Sequence, residues 1–258
     1  MSVLDRFGLS GRTVLVAGGA RGMGREAALL AAATGADIAV LDILPDETAA
    51  TVAEIRSTHG VRAAGYVADL SDAAAARAAV DQAIADLGRL HVLFNCTGIV
   101  YNTDILDIPP DDWARTMSVN VNAQFYVAQA VARHMAAQGG GSIVCIGSNS
   151  GVIVDRPQSQ AHYNASKAAV HQMVKSLACE LGDKNIRVNA IAPGFIVTEM
   201  TKKGMANPEW LDSWNANTPI GRLGRPDEIA HVMLFLASDA ASFMTGAIVI
   251  ADGGYTCW

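Results

Sequence analysis

The chain has 258 residues, 51% of them hydrophobic and 17% charged, with a net charge of −6 and a mean hydropathy of +0.24. No apolar run reaches the length of a membrane helix, no basic run of five or more residues offers a nucleic-acid footprint, and residues 1–12 lack the apolar core of a signal peptide. A cytoplasmic protein is expected, with a well-filled core in one α/β domain over residues 1–258.

Cys96, Cys145, Cys179 and Cys257 are scattered without C-x-x-C spacing, which points to reduced thiols rather than a zinc site or a disulfide framework. Strand-like apolar runs alternate with helical patterns from end to end, and this predicts βαβ units in a doubly wound, Rossmann-type parallel sheet with helices on both faces. The predicted strands cover residues 13–18, 37–41, 62–67, 91–95, 142–146, 187–191 and 247–251.

The first strand runs into Gly18-Gly19-Ala20-Arg21-Gly22-Met23-Gly24 and then an alanine-rich helical stretch. Glycines permit a tight turn and let backbone N–H groups approach a pyrophosphate at the helix N-terminus. Gly18, Arg21, Gly22, Met23 and Gly24 are therefore cofactor candidates, although G-x-x-x-G-x-G is one residue longer than the common dinucleotide fingerprint. Asp42, eighteen positions after Gly24, ends the second strand, where a carboxylate accepts hydrogen bonds from ribose hydroxyls and repels a 2′-phosphate. Arg21 offers a phosphate partner and Ile43 does not, so NAD is expected over NADP.

Asp69-Leu70 follows the third strand, its aspartate being either an adenine contact or part of a helix N-cap. The fourth strand ends in Asn95-Cys96-Thr97-Gly98, another turn at the ligand-binding carboxyl edge. A long helix is predicted over residues 111–137, and Asn120 within it needs a specific hydrogen-bond partner. The fifth strand finishes in Gly147-Ser148-Asn149-Ser150-Gly151, and a loop leads to Tyr163-Asn164-Ala165-Ser166-Lys167. Tyrosine and lysine four apart share a helix face, so the ammonium can sit by the phenol and lower its pKa. Pro193-Gly194-Phe195-Ile196-Val197-Thr198 makes a further carboxyl-edge turn. Residues 199–219, with Met200, Met205, Trp210 and Trp214, read as an amphipathic lid or a packed surface helix pair. The strand and aromatic tail ending at Trp258 suggest burial against a second subunit.

Together these elements resemble the short-chain dehydrogenase/reductase family over practically the whole chain. The family's T-G-x-x-x-G-x-G matches residues 17–24 with Ala17 in place of threonine, and its N-N-A-G turn appears as Asn95-Cys96-Thr97-Gly98 with two departures. Its catalytic asparagine, serine, tyrosine and lysine fall on Asn120, Ser148, Tyr163 and Lys167. Ser150 competes for the serine position, lying the family's commonest thirteen residues before the tyrosine. Ser148 is preferred because it follows Ile146-Gly147 and precedes the Asn149-Ser150-Gly151 turn as the family serine does, which leaves Ser150 to line the substrate pocket.

The resemblance implies that Tyr163 is the base in oxidation and the acid in reduction, and that Lys167 depresses its pKa and binds the nicotinamide ribose. By the same resemblance, Ser148 holds the substrate oxygen and Asn120 supports a relay water. The Pro193-Gly194 turn, the Ile196 backbone and the Thr198 hydroxyl border the nicotinamide, the last two orienting its carboxamide. A homotetramer built through the helices bearing Asn120 and Tyr163 is implied too, as is a structural magnesium ion near Trp258.

The C-terminal tail and residues 152–157 resemble the family's polyol dehydrogenases, and Ser150, Asp155, Gln160 and His162 could hydrogen-bond several substrate hydroxyls. Oxidation of a polyol to a ketose is the expectation. The alternative is a 3-oxoacyl-thioester reductase, against which Asp42 speaks. A non-catalytic NAD-sensing protein would normally lose part of the tetrad, and none is lost.

Overall fold

A computed structural model describes residues 3–258. Its strands are β1 Thr13–Ala17, β2 Asp37–Asp42, β3 Ala63–Val67, β4 Val92–Asn95, β5 Gly141–Ile146, β6 Ile186–Pro193 and β7 Ile248–Ala251. All are parallel, in the order β3-β2-β1-β4-β5-β6-β7. Every predicted strand lies within two residues of an observed one, because continuous runs of Val, Ile, Leu and Ala suit strands covered on both faces.

The helices are α1 Gly22–Ala33, α2 Pro45–His59, α3 Ala73–Leu87, α4 Pro110–Met117, α5 Ala123–Ala137, α6 Ala161–Leu181, α7 Lys202–Met205, α8 Pro208–Asn217 and α9 Pro226–Ala237. Alternation along β1 divides the core between two layers. Val14 and Val16 pack with Ala27 and Ala31 of α1, Ile55 of α2 and Met233 of α9. Leu15 and Ala17 face the other way, toward Val80 of α3, Val127 and Val131 of α5, and Val170 and Val174 of α6. The winding reverses between β3 and β4, so the carboxyl ends of β1 and β4 flank the switch point where open α/β sheets bind ligands.

The helix expected as one piece over residues 111–137 is interrupted: Ser118–Asn122 form a wide π turn between α4 and α5. Sequence periodicity does not register one extra residue in a turn. The bulge frees the local ladder, and buried Asn120 uses its amide elsewhere. Among the described residues, no helix is long and apolar enough to cross a membrane.

Phe94, fully buried at the centre of β4, is one of the largest core side chains. Phe94→Ala is expected to lower the unfolding free energy by about 3–5 kcal/mol. Urea denaturation with an unchanged midpoint would contradict this account of the core.

Candidate active site

A cleft opens at the carboxyl edge of the sheet. On its cofactor side the glycine loop leaves β1 with Gly18 at φ 73°, and a Cβ on Gly24 would lie 2.1 Å from the Gly18 carbonyl oxygen. Only glycine allows so close a return of the chain, and it leaves the first N–H groups of α1 at the turn. This cradle fits a pyrophosphate. Arg21, exposed, stands at the start of α1; Gly22 faces the Thr198 side chain and Met23 lines the cleft.

Asp42 is almost wholly buried, accepting hydrogen bonds from the N–H groups of Ala20 at 3.0 Å and Ile43 at 2.8 Å. One carboxylate thus ties the end of β2 to the glycine loop, while the Ile43 side chain is exposed.

Other cofactor candidates divide. Asp69 folds onto Ser71, accepting from its hydroxyl at 2.6 Å and its N–H at 3.0 Å, and these bonds hold its pKa below the usual carboxylate value. The N-cap of α3 is Asp72, not Asp69. The Leu70 side chain belongs to the core, and that of Asn95 is fully buried, donating to the Gln124 carbonyl at 2.8 Å. Gln124, overlooked in the sequence, donates in turn to the Thr97 and Ile146 carbonyls at 3.0 and 3.1 Å. The Asn95–Gln124 pair joins the ends of β4 and β5 beneath the cleft rather than lining it. Cys96, Gly98, Pro193, Gly194, Ile196 and Thr198 do line it.

On the reacting side, α6 lies along the loop that leaves β5. Lys167 donates to the Ile146 carbonyl at 3.1 Å, and its Nζ stands 5.6 Å from the centre of the Tyr163 ring. Asn120, released by the π turn, accepts from the Ile99 N–H at 2.7 Å and donates to the Ile99 carbonyl at 3.0 Å and Ser166 Oγ at 2.9 Å. Gly98 keeps space for both groups: a Cβ there would sit 3.3 Å from Lys167 Nζ and 3.5 Å from Asn120 Oδ1. Asn120, Ser148, Tyr163 and Lys167 therefore converge on one end of the sheet.

The expected depression of the phenol is not found. Burial pushes Tyr163 up to about 12, with the Asp155 charge adding and a hydrogen bond from Ser148 opposing. Lys167 is itself desolvated, which brings it down to about 8 despite the neighbouring Cys96 and Cys145 thiols. An ammonium over the ring rather than at the oxygen, and costly to charge in the same dry site, does little for the phenolate.

Of the two serines, Ser148 is the one whose side chain eases ionisation of the phenol. Its hydroxyl lies 3.0 Å from Ser150 Oγ, and Ser150 donates onward to Asp155. Gln160 donates to Ser150 Oγ at 3.2 Å and accepts from Asn102 at 3.2 Å. Burial raises the Asp155 carboxyl to about 6, against the Ser150 bond and with the Asp252 charge adding. Ser150, Asp155 and Gln160 thus share one polar wall. His162 does not join them: it is buried against Tyr101, ring centroids 6.1 Å apart, and is absent from the cleft lining.

Residues 199–219 close the far side through α7 and α8. Trp214 is 4% exposed, stacked on Phe195 at 4.2 Å and donating to Gln158 Oε1 at 3.0 Å. Gln158 and Phe195 had no signal in the sequence, since their roles depend on a tryptophan about twenty residues or more away. Trp258 is 84% exposed, with its indole donating to the Asn217 carbonyl at 2.9 Å. Among the described residues no three His, Cys, Asp or Glu side chains gather to hold a metal, so the magnesium expected near Trp258 has no such donor cluster within one chain.

The family model described as enoyl-(acyl carrier protein) reductase matches residues 18–256. Galactitol 2-dehydrogenase (L-tagatose-forming) of Cereibacter sphaeroides is 44% identical over 252 residues, 98% of each chain. Galactitol 2-dehydrogenase of Rhizobium johnstonii is 42% identical over 265 aligned residues and the full length of both. The crystal structure of a short-chain type dehydrogenase/reductase from Mycobacterium marinum superposes with a TM-score of 0.96 at 39% identity, covering 100% of both chains. With this likeness running end to end, and with a glycine cradle opposite a tyrosine and a buried lysine, the chain belongs to the short-chain dehydrogenase/reductase family of nicotinamide-dependent oxidoreductases acting on CH–OH groups.

Proposed function

We propose that the protein oxidises a secondary alcohol of a neutral polyol to a ketose, with NAD as hydride acceptor. The observation that carries this reading is the wall of the cleft beside Tyr163: Asn102, Ser150, Asp155, Gln158 and Gln160 offer several hydrogen-bonding groups to a chain of hydroxyls. Lys167 is the one cation among the lining residues, and it is engaged by the Ile146 carbonyl. Among the described lining residues no guanidinium or free ammonium faces a substrate carboxylate or phosphate, and Asp155 disfavours either. This argues against an acidic sugar and against a carrier-bound thioester. The relatives named as galactitol dehydrogenases agree with it.

Tyr163, as base, takes the hydroxyl proton; Ser148 donates to the oxygen on which charge develops. A bound nicotinamide would supply the hydride acceptor and, in its oxidised form, a positive charge. Lys167 and Asn120 complete the tetrad. In the chain alone burial holds Tyr163 protonated, so the base form depends on positive charge brought into the site. The glycine loop would hold the pyrophosphate, Asp42 the adenosine ribose, and Ile196 with Thr198 the carboxamide. Assembly as a tetramer through α4, α5 and α6 is part of the same reading, supported by the exposed Trp113 of α4 and Phe125 of α5.

Purified protein is expected to reduce NAD with members of a polyol panel. Below the phenol's pKa the phenolate fraction grows about tenfold per pH unit, so oxidation should quicken from about pH 7 to 9 and vanish in Tyr163→Phe. A silent panel with NAD still bound would remove the polyol reading and leave the family intact. For the cofactor, Asp42→Asn removes the charge while keeping an acceptor for the glycine loop. Its ratio of kcat/KM for NAD over NADP should fall by about ten- to a hundredfold. A native enzyme that prefers NADP contradicts the assignment.

Asp155 should trade stability for substrate binding. Its folded pKa is raised from 3.8 to about 6, so between these values the folded chain holds a proton that the unfolded chain has released. Stability therefore falls as pH rises through that window, by a total on the order of 3 kcal/mol that persists at neutral pH. Asp155→Asn is expected to raise the thermal midpoint at about pH 7.5, with the gain shrinking toward about pH 4, while KM for the polyol rises. An equal shift at both pH values would show that the buried charge is not the cause.

A further inference from the structure

Behind the serine loop lies a buried imidazole that the reading above does not use. His171 follows Lys167 by four residues and Tyr163 by eight, so all three share one face of α6. It is 7% exposed. Its Nε2 accepts from the Ser148 N–H at 3.4 Å, and the ring packs against Gly151. Both glycines bounding the loop are moulded to it: a Cβ on Gly147 would lie 2.2 Å from His171 Nε2, and one on Gly151 would lie 2.7 Å from Cε1. Substituting either glycine would push the ring away.

The protonation state agrees with this geometry. Burial and the nearby Lys167 and Lys175 charges bring the imidazole down to about 4, so at neutral pH Nε2 keeps its lone pair. Nδ1 then carries the hydrogen. One ring thus accepts from the beginning of the loop and packs against its end. Lys167 grips the residue before the loop, Ile146, from the previous turn of the same helix.

We propose that His171 is a positioning residue for catalysis: it holds the Gly147–Gly151 loop against α6 so that the Ser148 hydroxyl stays at the Tyr163 phenol. The inference rests on the assignment of Ser148 as the group that holds the substrate oxygen. A buried N–H left without an acceptor would let the loop turn, moving a hydroxyl that acts on the reacting oxygen without touching the cofactor cradle.

The test compares His171→Leu, which fills the space without an acceptor, with His171→Gln, whose Oε1 lies near the place of Nε2 and whose amide can still donate. Both are assayed with NAD and the polyol turned over by the native enzyme, beside Ser148→Ala, and NAD affinity is measured separately by binding to the protein without substrate. His171→Leu should lose about tenfold or more in kcat with KM and NAD affinity nearly unchanged, and His171→Gln should recover most of the loss. If His171→Leu does not fold, His171→Asn, too short to reach the Ser148 N–H, takes its place in the same comparison. A folded leucine or asparagine variant with native kcat overturns the proposal, as does a glutamine variant of native thermal midpoint that recovers nothing. A fully active Ser148→Ala instead removes the assignment on which the inference rests.

Discussion

The site depends on the contact between α6 and the carboxyl end of β5. An open parallel sheet leaves its last carbonyl groups facing the ligand edge, and here the Ile146 carbonyl is taken by Lys167 while the Ser148 N–H is taken by His171. Satisfying two backbone groups from one helix fixes where that helix lies. Tyr163 rides on the same face, one turn before Lys167. The distance between phenol and serine is thereby a property of how a helix docks on a strand end.

Electrostatics work against the fold at this point. A phenol, an ammonium and a carboxyl stand in one cleft, and in each desolvation favours the neutral form. Lys167 and Asp155 are held by hydrogen bonds rather than by ion pairs, and the ion pairs among the described residues lie on the surface, where they add little. The core supplies the stability that the cleft gives up. Its alanine-lined helices sit close on both faces of the sheet, and α1 presents Ala27, Ala28, Ala31 and Ala32 to neighbouring elements.

The substrate side is organised by aromatic packing. Phe195, next to the Pro193-Gly194 turn, stacks on Trp214 and meets Tyr255 edge-on at 5.3 Å, so the segment after β6, α8 and the C-terminal turn form one cluster. Tyr255 also donates to the Arg156 carbonyl at 3.3 Å, which ties this cluster to the loop that carries Asp155. Rings stacked this closely make a rigid outer wall. The polar inner wall is thereby shaped by residues distant in the sequence.

The sequence by itself determined the parallel sheet, since apolar runs of strand length alternate with helical periods. It also determined the glycine turn, the aspartate at the end of β2 and the tyrosine–lysine spacing, because each is a local pattern tied to a backbone conformation. What only the tertiary structure decided depends on contacts between distant segments. The π turn at Ser118–Asn122 has no periodic signature, and the partners of Asn120 and Asn95 lie on other elements. The choice of Asp72 over Asp69 as a cap turned on a few ångströms. His162 and His171, nine residues apart on one helix, point to different surroundings, so that one leaves the cleft and the other holds its serine loop. Above all, the sign of the tyrosine shift required knowing how dry the site is, and burial is a property of the assembled fold that spacing along a helix does not encode.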